Sequence, residues 1–244
     1  MLSSKYSHYL KMFSQKHVLK SLCLSLATYC MVSVANPAKA EDIQIQESAP
    51  ISQGGLSGFY ITTGVGANWP IDRVGKGERG IFTEFSNPGF SGEVGLGYEF
   101  KPLRLELTYA LDASNLEGYN NVSGKYFKYV QGGQTRKNSA FASVYWDLLA
   151  SKRLSPYVGV GMGLTFLNVG AFSDPGLSYQ GYSKSLFGYQ AKAGLSYAIN
   201  HRSKVFAEAV YRGTSSYNTN DGFDKWNNPS FSSWGAQTGL RIGF

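Results

Sequence analysis

From Gly58 onward the chain alternates apolar and polar side chains with period two, and it does so eight times in segments of about ten residues. Successive side chains of a strand point to opposite faces, so this pattern predicts strands with one apolar and one polar face. Strand one sets Phe59, Ile61, Thr63, Val65 and Ala67 against Tyr60, Thr62, Gly64, Gly66 and Asn68. Strand two sets Phe90, Val94, Leu96, Tyr98 and Phe100 against Ser91, Glu93, Gly95, Gly97 and Glu99. Six more follow, at 103–111, 139–148, 157–166, 187–197, 205–212 and 233–244. Connections near 101, 152 and 201 are short. Those near 78, 125, 175 and 220 are long, polar and rich in Gly, Asn and Pro. An even number of strands with short turns at one end and long loops at the other predicts an all-β, eight-stranded, antiparallel up-and-down transmembrane β-barrel.

Alternation alone also fits a soluble barrel, which hides its apolar face inside. Two features favour the inverted arrangement. Large rings mark both ends of the apolar faces: Tyr98, Phe100, Trp146, Tyr197 and Phe244 near the short turns, Phe166, Phe187, Tyr189 and Tyr211 toward the long loops. Such girdles suit the two membrane interfaces. The opposite faces mix glycine with charge, as a small filled lumen would. Glu99, Arg104, Glu106, Asp147, Lys192, Glu208 and Arg241 are expected near the short-turn rim, with Glu93, Arg212 and Gln237 farther up. Their signs nearly balance. An unpaired charge in a low-dielectric lumen is costly, so Arg104, Lys192 and Arg241 are expected opposite Glu99, Glu106, Asp147 and Glu208. Gly159, Gly161 and Gly163 remove volume from one strand and leave room for Phe141, Tyr145 or an arginine.

The region before Gly58 reads differently. Residues 1–40 combine a lysine-rich head, an apolar stretch from Leu19 to Ala35 and Ala38-Lys39-Ala40, the pattern of a signal peptide cleaved after Ala40. Residues 41–57 read as a flexible N-terminal segment and 58–244 as the barrel. The chain's net charge is +7, but five lysines and no acid lie in 1–40, so the rest is only +2. The high charge is a targeting feature and not a nucleic-acid footprint. Cys23 and Cys30 leave with the leader, and Tyr29 before Cys30 argues against lipidation. His201 is then the one histidine left, so no metal site and no cofactor are expected.

These stretches resemble the small outer-membrane β-barrel family, which includes the OmpA-type transmembrane domain and opacity-type porins and surface antigens. The likeness rests on Val144-Tyr145-Trp146-Asp147, on Ser155 to Gly161, on Gln190 to Tyr197 and on Glu208 to Arg212. Its most specific piece is the C-terminus, where Gln237, Gly239, Ile242 and Phe244 match the insertion signal that such barrels show to the barrel-assembly machinery. The resemblance implies the cell outer membrane as compartment, outer-membrane lipid as surroundings and an envelope structural or adhesion role. It also implies two rivals: a narrow porin for ions or small solutes, and a lipid A-modifying enzyme. The enzymes of that kind use a histidine near the outer leaflet, whereas His201 falls in a short turn at the opposite rim, so no enzymatic activity is expected. Loop residues Tyr119, Tyr126, Phe127, Tyr129 and Trp226, with Lys125, Lys128, Arg136 and Lys137, are candidates for binding an extracellular ligand. Gly159-x-Gly161-x-Gly163 precedes no helix and reads as packing, not as a phosphate loop. Asn121-Val122-Ser123 is a glycosylation sequon by spelling only.

Overall fold

A computed structural model describes residues 58–77, 80–121, 123–149, 153–173, 178–220 and 225–244. The leader, the segment 41–57 and loop positions such as Lys152 and Pro175 lie outside the described residues. Eight long strands form the body: β1 (Gly58–Pro70), β2 (Gly89–Phe100), β3 (Leu103–Asn120), β4 (Gln134–Asp147), β5 (Leu154–Val169), β6 (Tyr182–Ala198), β7 (Ser203–Thr214) and β8 (Ser233–Gly243). Each pairs antiparallel with its sequence neighbours. The ring closes where β1 meets β8, from Tyr60 opposite Gly243 to Pro70 opposite Ser233. No edge is left, which is what hydrocarbon demands of a sheet, since it offers unpaired backbone groups no partner. Gly58 and Phe244 lie at the short-turn end, and the Phe244 amide donates to the Phe59 carbonyl (3.2 Å).

Side-chain exposure inverts the soluble rule. Leu107 is 67% and Met162 63% exposed on the outside, whereas Arg104 is 0% and Lys192 4% exposed inside. The expected inner faces are the buried ones on all eight strands. Inward glycines make room for rings. A side chain at Gly159 would meet the Tyr145 ring at 2.2 Å, and one at Gly97 would meet the Tyr60 ring at 2.2 Å.

The long connections differ from expectation. The sequence reading ends strand three near Leu111 and treats 112–138 as loop. In the structure β3 and β4 stay paired up to Asn115 opposite Gln134. The loops hold further ribbons. Residues 73–77 pair with 80–86, which pair with the upper part of β3. Residues 217–220 pair with 225–228, which reach 73–77. Residues 131–132, 172–173 and 178–179 form a small separate sheet. Backbone pairing does not depend on the lipid, so the strands continue past it. What stops is the apolar outer face, and with it the pattern used to find them.

That change can be located to one rung. Outward on β5, Phe166 is followed by exposed Asn168, while inward Thr165 gives way to buried Leu167 and Val169. On β6, outward Phe187 gives way to Ser185 and Ser183, and the inward column reaches Leu186. On β4, outward Ala140 gives way to Asn138 and Arg136. Below this rung the polar side faces in; above it the outward columns turn polar and the inward columns of β5 and β6 turn apolar, while β4 keeps Lys137 and Thr135 buried inside. The rung marks where hydrocarbon ends and water begins.

Candidate functional site

The barrel interior is a tiered charge network. At the short-turn end, Lys204 of β7 meets Glu99 of β2 (3.0 Å). Arg104 of β3 meets Asp147 of β4 (3.0 Å) and lies 3.7 Å from Glu106. It also donates to Tyr60 (3.2 Å), whose hydroxyl donates to Glu106 (2.9 Å). Arg241 of β8 has no carboxylate within ion-pair distance among the described residues. Its guanidinium lies 4.5 Å from the Phe206 ring centre and 4.6 Å from that of Tyr157, which suits a cation on aromatic faces.

One tier up, Lys192 of β6 bridges Glu93 of β2 and Glu208 of β7, the latter at 3.0 Å, and Tyr157 donates to Glu208 (2.7 Å). Arg212 of β7 forks between Glu93 and Asp112 of β3, the second contact at 2.9 Å. It also donates to Ser91 (2.9 Å) and to the Gln190 side chain (3.2 Å). Gln237 lies 2.6 Å from Ser91 through its amide. Lys137 of β4 closes this tier, 3.6 Å from Asp112 and donating to Ser233 (3.0 Å). Arg104–Asp147, Lys137–Asp112 and Lys192–Glu208 join neighbouring strands, whereas Lys192–Glu93, Lys204–Glu99 and Arg212 with Glu93 and Asp112 reach across the lumen. Side chains from opposite walls therefore meet and fill the space, as the width of an eight-stranded barrel allows.

The arrangement differs in three ways from the sequence expectation. Lys192 and Glu208 belong to the upper tier, Lys192 also reaching Glu93. Glu99 takes Lys204 as its partner. Arg241 rests on rings. Asp112, Lys137 and Lys204 were absent from the expected set. Each lies one or more period-two steps beyond the assigned strand end, so a longer register would have found Lys204 beside Phe206 and Glu208. Lys137 was expected in an exposed loop and is buried in the lumen, because β4 begins at Gln134. Arg136, one residue earlier, faces out and is exposed.

Above the upper tier the loops form a lid. Leu116, Leu167, Val169, Leu186, Tyr217 and Phe231 make one buried cluster, against which Tyr129, Phe172 and Tyr182 pack. The gap between the tier and the lid, lined by Asp112, Lys137, Ser139, Phe141, Arg212 and Phe231 among others, has no room for a water molecule. Arg73 and Glu84 form a buried ion pair within the lid, and Arg73 donates to Tyr217 (3.3 Å) and covers the Phe231 ring at 3.4 Å. Burial pushes the Glu84 carboxyl up, and Arg73 offsets this only in part. Among the loop candidates, Tyr119 stacks on Phe127 (5.4 Å) and Tyr129 (5.6 Å), and Tyr129 meets Phe172 (4.7 Å). Tyr126 lies 6.0 Å from Phe85, and Lys125 lies over Phe127 at 5.1 Å. Lys128 is exposed, and the Trp226 side chain lies outside the described residues. His201 is exposed in the short turn between β6 and β7. Of the insertion-signal residues, Gln237 faces the lumen, Ile242 and Phe244 are exposed on the outside, and Gly239 sits against Phe206.

A closed ring of eight strands, apolar without and charged within, defines an integral outer-membrane barrel. The chain belongs to the outer membrane protein beta-barrel domain family, whose model matches residues 25–241. It is 25% identical over 227 residues to an uncharacterized protein of Brucella abortus, covering 77% of this chain and 80% of that one. The solved outer-membrane protein OprG of Pseudomonas aeruginosa matches with a TM-score of 0.57 at 14% identity, over 79% of this chain and 98% of OprG. Neisserial surface protein A matches with a TM-score of 0.49 at 20% identity, over 78% and 99%. The protein is located in the cell outer membrane.

Proposed function

We propose that this protein is a non-enzymatic surface platform: a closed barrel that anchors an ordered loop assembly for contact with an extracellular ligand. The observation that carries this reading is the double obstruction of the lumen, first by cross-lumen ion pairs and then by the lid. An open pore has no use for Lys192 and Arg212 locked between opposite walls. The loop assembly supports the same reading, because β-ribbons and stacked rings hold its surface in one shape and so lower the entropy cost of binding. Insertion through the Gln237–Phe244 signal is part of the proposal. The test is planar-bilayer recording on the refolded protein. The expected result is an absence of stable unit steps. Long-lived steps of uniform size would replace the platform with the narrow porin.

A further inference from the structure

The outer surface is not uniformly smooth. A shallow groove of about 680 Å³ spans β1 to β5 around the barrel, from Ile61 to Met162 and Leu164, and its floor on β4 is Ala140 and Ala142 beside Leu107 and Tyr109. The register explains it. Ala142 lies between Leu107 and Met162, and Ala140 between Tyr109 and Leu164, so two small side chains stand between columns of large ones. The strip of Ala140 and Ala142 between those columns is an apolar trough facing hydrocarbon, which accepts a segment of an alkyl chain running along β4.

What sits above the trough distinguishes it from the rest of the belt. Along the outward column of β4 the next residues are Asn138 and then Arg136. The Tyr109 hydroxyl donates to Asn138 Oδ1 (3.0 Å), closing the top of one wall with a polar group. Arg136 pairs in register with Asn168, which lies opposite Ser183, and Asn168 donates to the Ser183 hydroxyl (2.8 Å). Lys184 follows and is exposed. Arg136 forms no ion pair among the described residues, unlike its neighbour Lys137, whose partner Asp112 faces the lumen. Ten residues separate Arg136 from Trp146 at the inner rim. At about 3.3 Å per residue and a tilt of about 40° this is ~25 Å, the height of the apolar band. Arg136 therefore stands at the headgroup level of the leaflet on the long-loop side, which is the outer one.

We infer that this groove and the Arg136–Asn168–Ser183 rung form a specific site for a phosphorylated, acylated glycolipid of the outer leaflet. One acyl chain lies along Ala140 and Ala142. The Arg136 guanidinium takes a headgroup phosphate, which its planar fork fits with two parallel hydrogen bonds. Asn168 and Ser183 face the sugar hydroxyls. The site rests on the outer-membrane location and is independent of whether the lumen conducts.

The experiment counts bound lipid by native mass spectrometry on purified protein whose folding is checked by heat-modifiable electrophoretic mobility. The probes are bisphosphorylated lipid A, its dephosphorylated form and phosphatidylglycerol. Arg136→Gln removes the phosphate partner on an exposed surface, and Ala142→Phe fills the trough. Ala209→Phe places the same ring on the outward face of β7 as a control. The unmodified protein and the control should retain bisphosphorylated lipid A, while Arg136→Gln loses about tenfold, the worth of one charge-assisted contact, and Ala142→Phe weakens retention by filling the groove. Binding of the dephosphorylated form should be weak and insensitive to Arg136→Gln. Equal retention by all four proteins would overturn the site. Phosphatidylglycerol bound as well as lipid A would overturn the glycolipid assignment.

Discussion

The membrane-spanning body and the loop assembly above it are made from the same strands yet obey opposite rules. In the body of β5, Gly159 and Thr165 face in and Val160 and Phe166 face out; two residues farther on, Leu167 and Val169 face in and Asn168 faces out. Nothing in the backbone changes at that rung. The solvent does. Against hydrocarbon, an outward polar group loses its water and an outward apolar one loses nothing, so charge collects inside and must find charge there. Against water, burying apolar surface is the favourable direction, so the loops build a hydrophobic core over the lumen. The polarity of each face is thus set by what surrounds it, and one strand can serve both regimes.

The sharpest way to break this comparison is to unpair the interior. Lys192→Ala should destabilise the barrel by about 3–5 kcal/mol, because it leaves the buried Glu208 carboxylate without a charged partner and Glu93 with Arg212 alone. Denaturant unfolding in detergent measures it. The pair of changes Lys192→Met and Glu208→Gln should recover part of the loss. If the single variant unfolds like the parent, water reaches the tier and the lumen is not sealed.

A smaller effect tests where the regimes meet. Val160→Arg, outward in the belt, should cost about 2–4 kcal/mol, whereas Asn168→Arg on the same face should cost about 0–1. Equal costs at the two positions would show that the boundary is not at the Phe166 rung.

The smallest effect lies in the lid. The Glu84 carboxyl is held above the usual carboxylate range by burial. A carboxyl raised on folding contributes stability that is complete below its unfolded value and declines as pH rises through its folded one. Mild acidification from neutral should therefore tighten the ribbon of residues 73–86. Amide hydrogen exchange there, corrected for the intrinsic effect of pH, should show slightly greater protection in the parent and no such gain in Glu84→Gln. Loosening on acidification that the variant abolishes would reverse the assigned sign.

How much of this was legible in the chain depends on which force wrote the signal. Eight amphipathic segments, the inner and outer face of each, and the glycines of β5 that admit Tyr145 can all be read along the sequence; that Gly97 makes room for Tyr60 cannot. Hydrocarbon imposes a polarity on every second residue, and such a constraint is local. The same logic made charges such as Arg104 and Glu208 recognisable as interior residues. It could not say which met which. Lys192 with Glu93, Lys204 with Glu99 and Arg212 with Asp112 are chosen by shear, strand tilt and side-chain reach across the lumen, quantities that exist only once the ring has closed. The lid is the extreme case. Leu116, Tyr217 and Phe231 come from separate polar connections and show no periodicity of their own. Their cluster arises because the closed barrel brings four loop ends together above one opening, where water makes it favourable for them to pack.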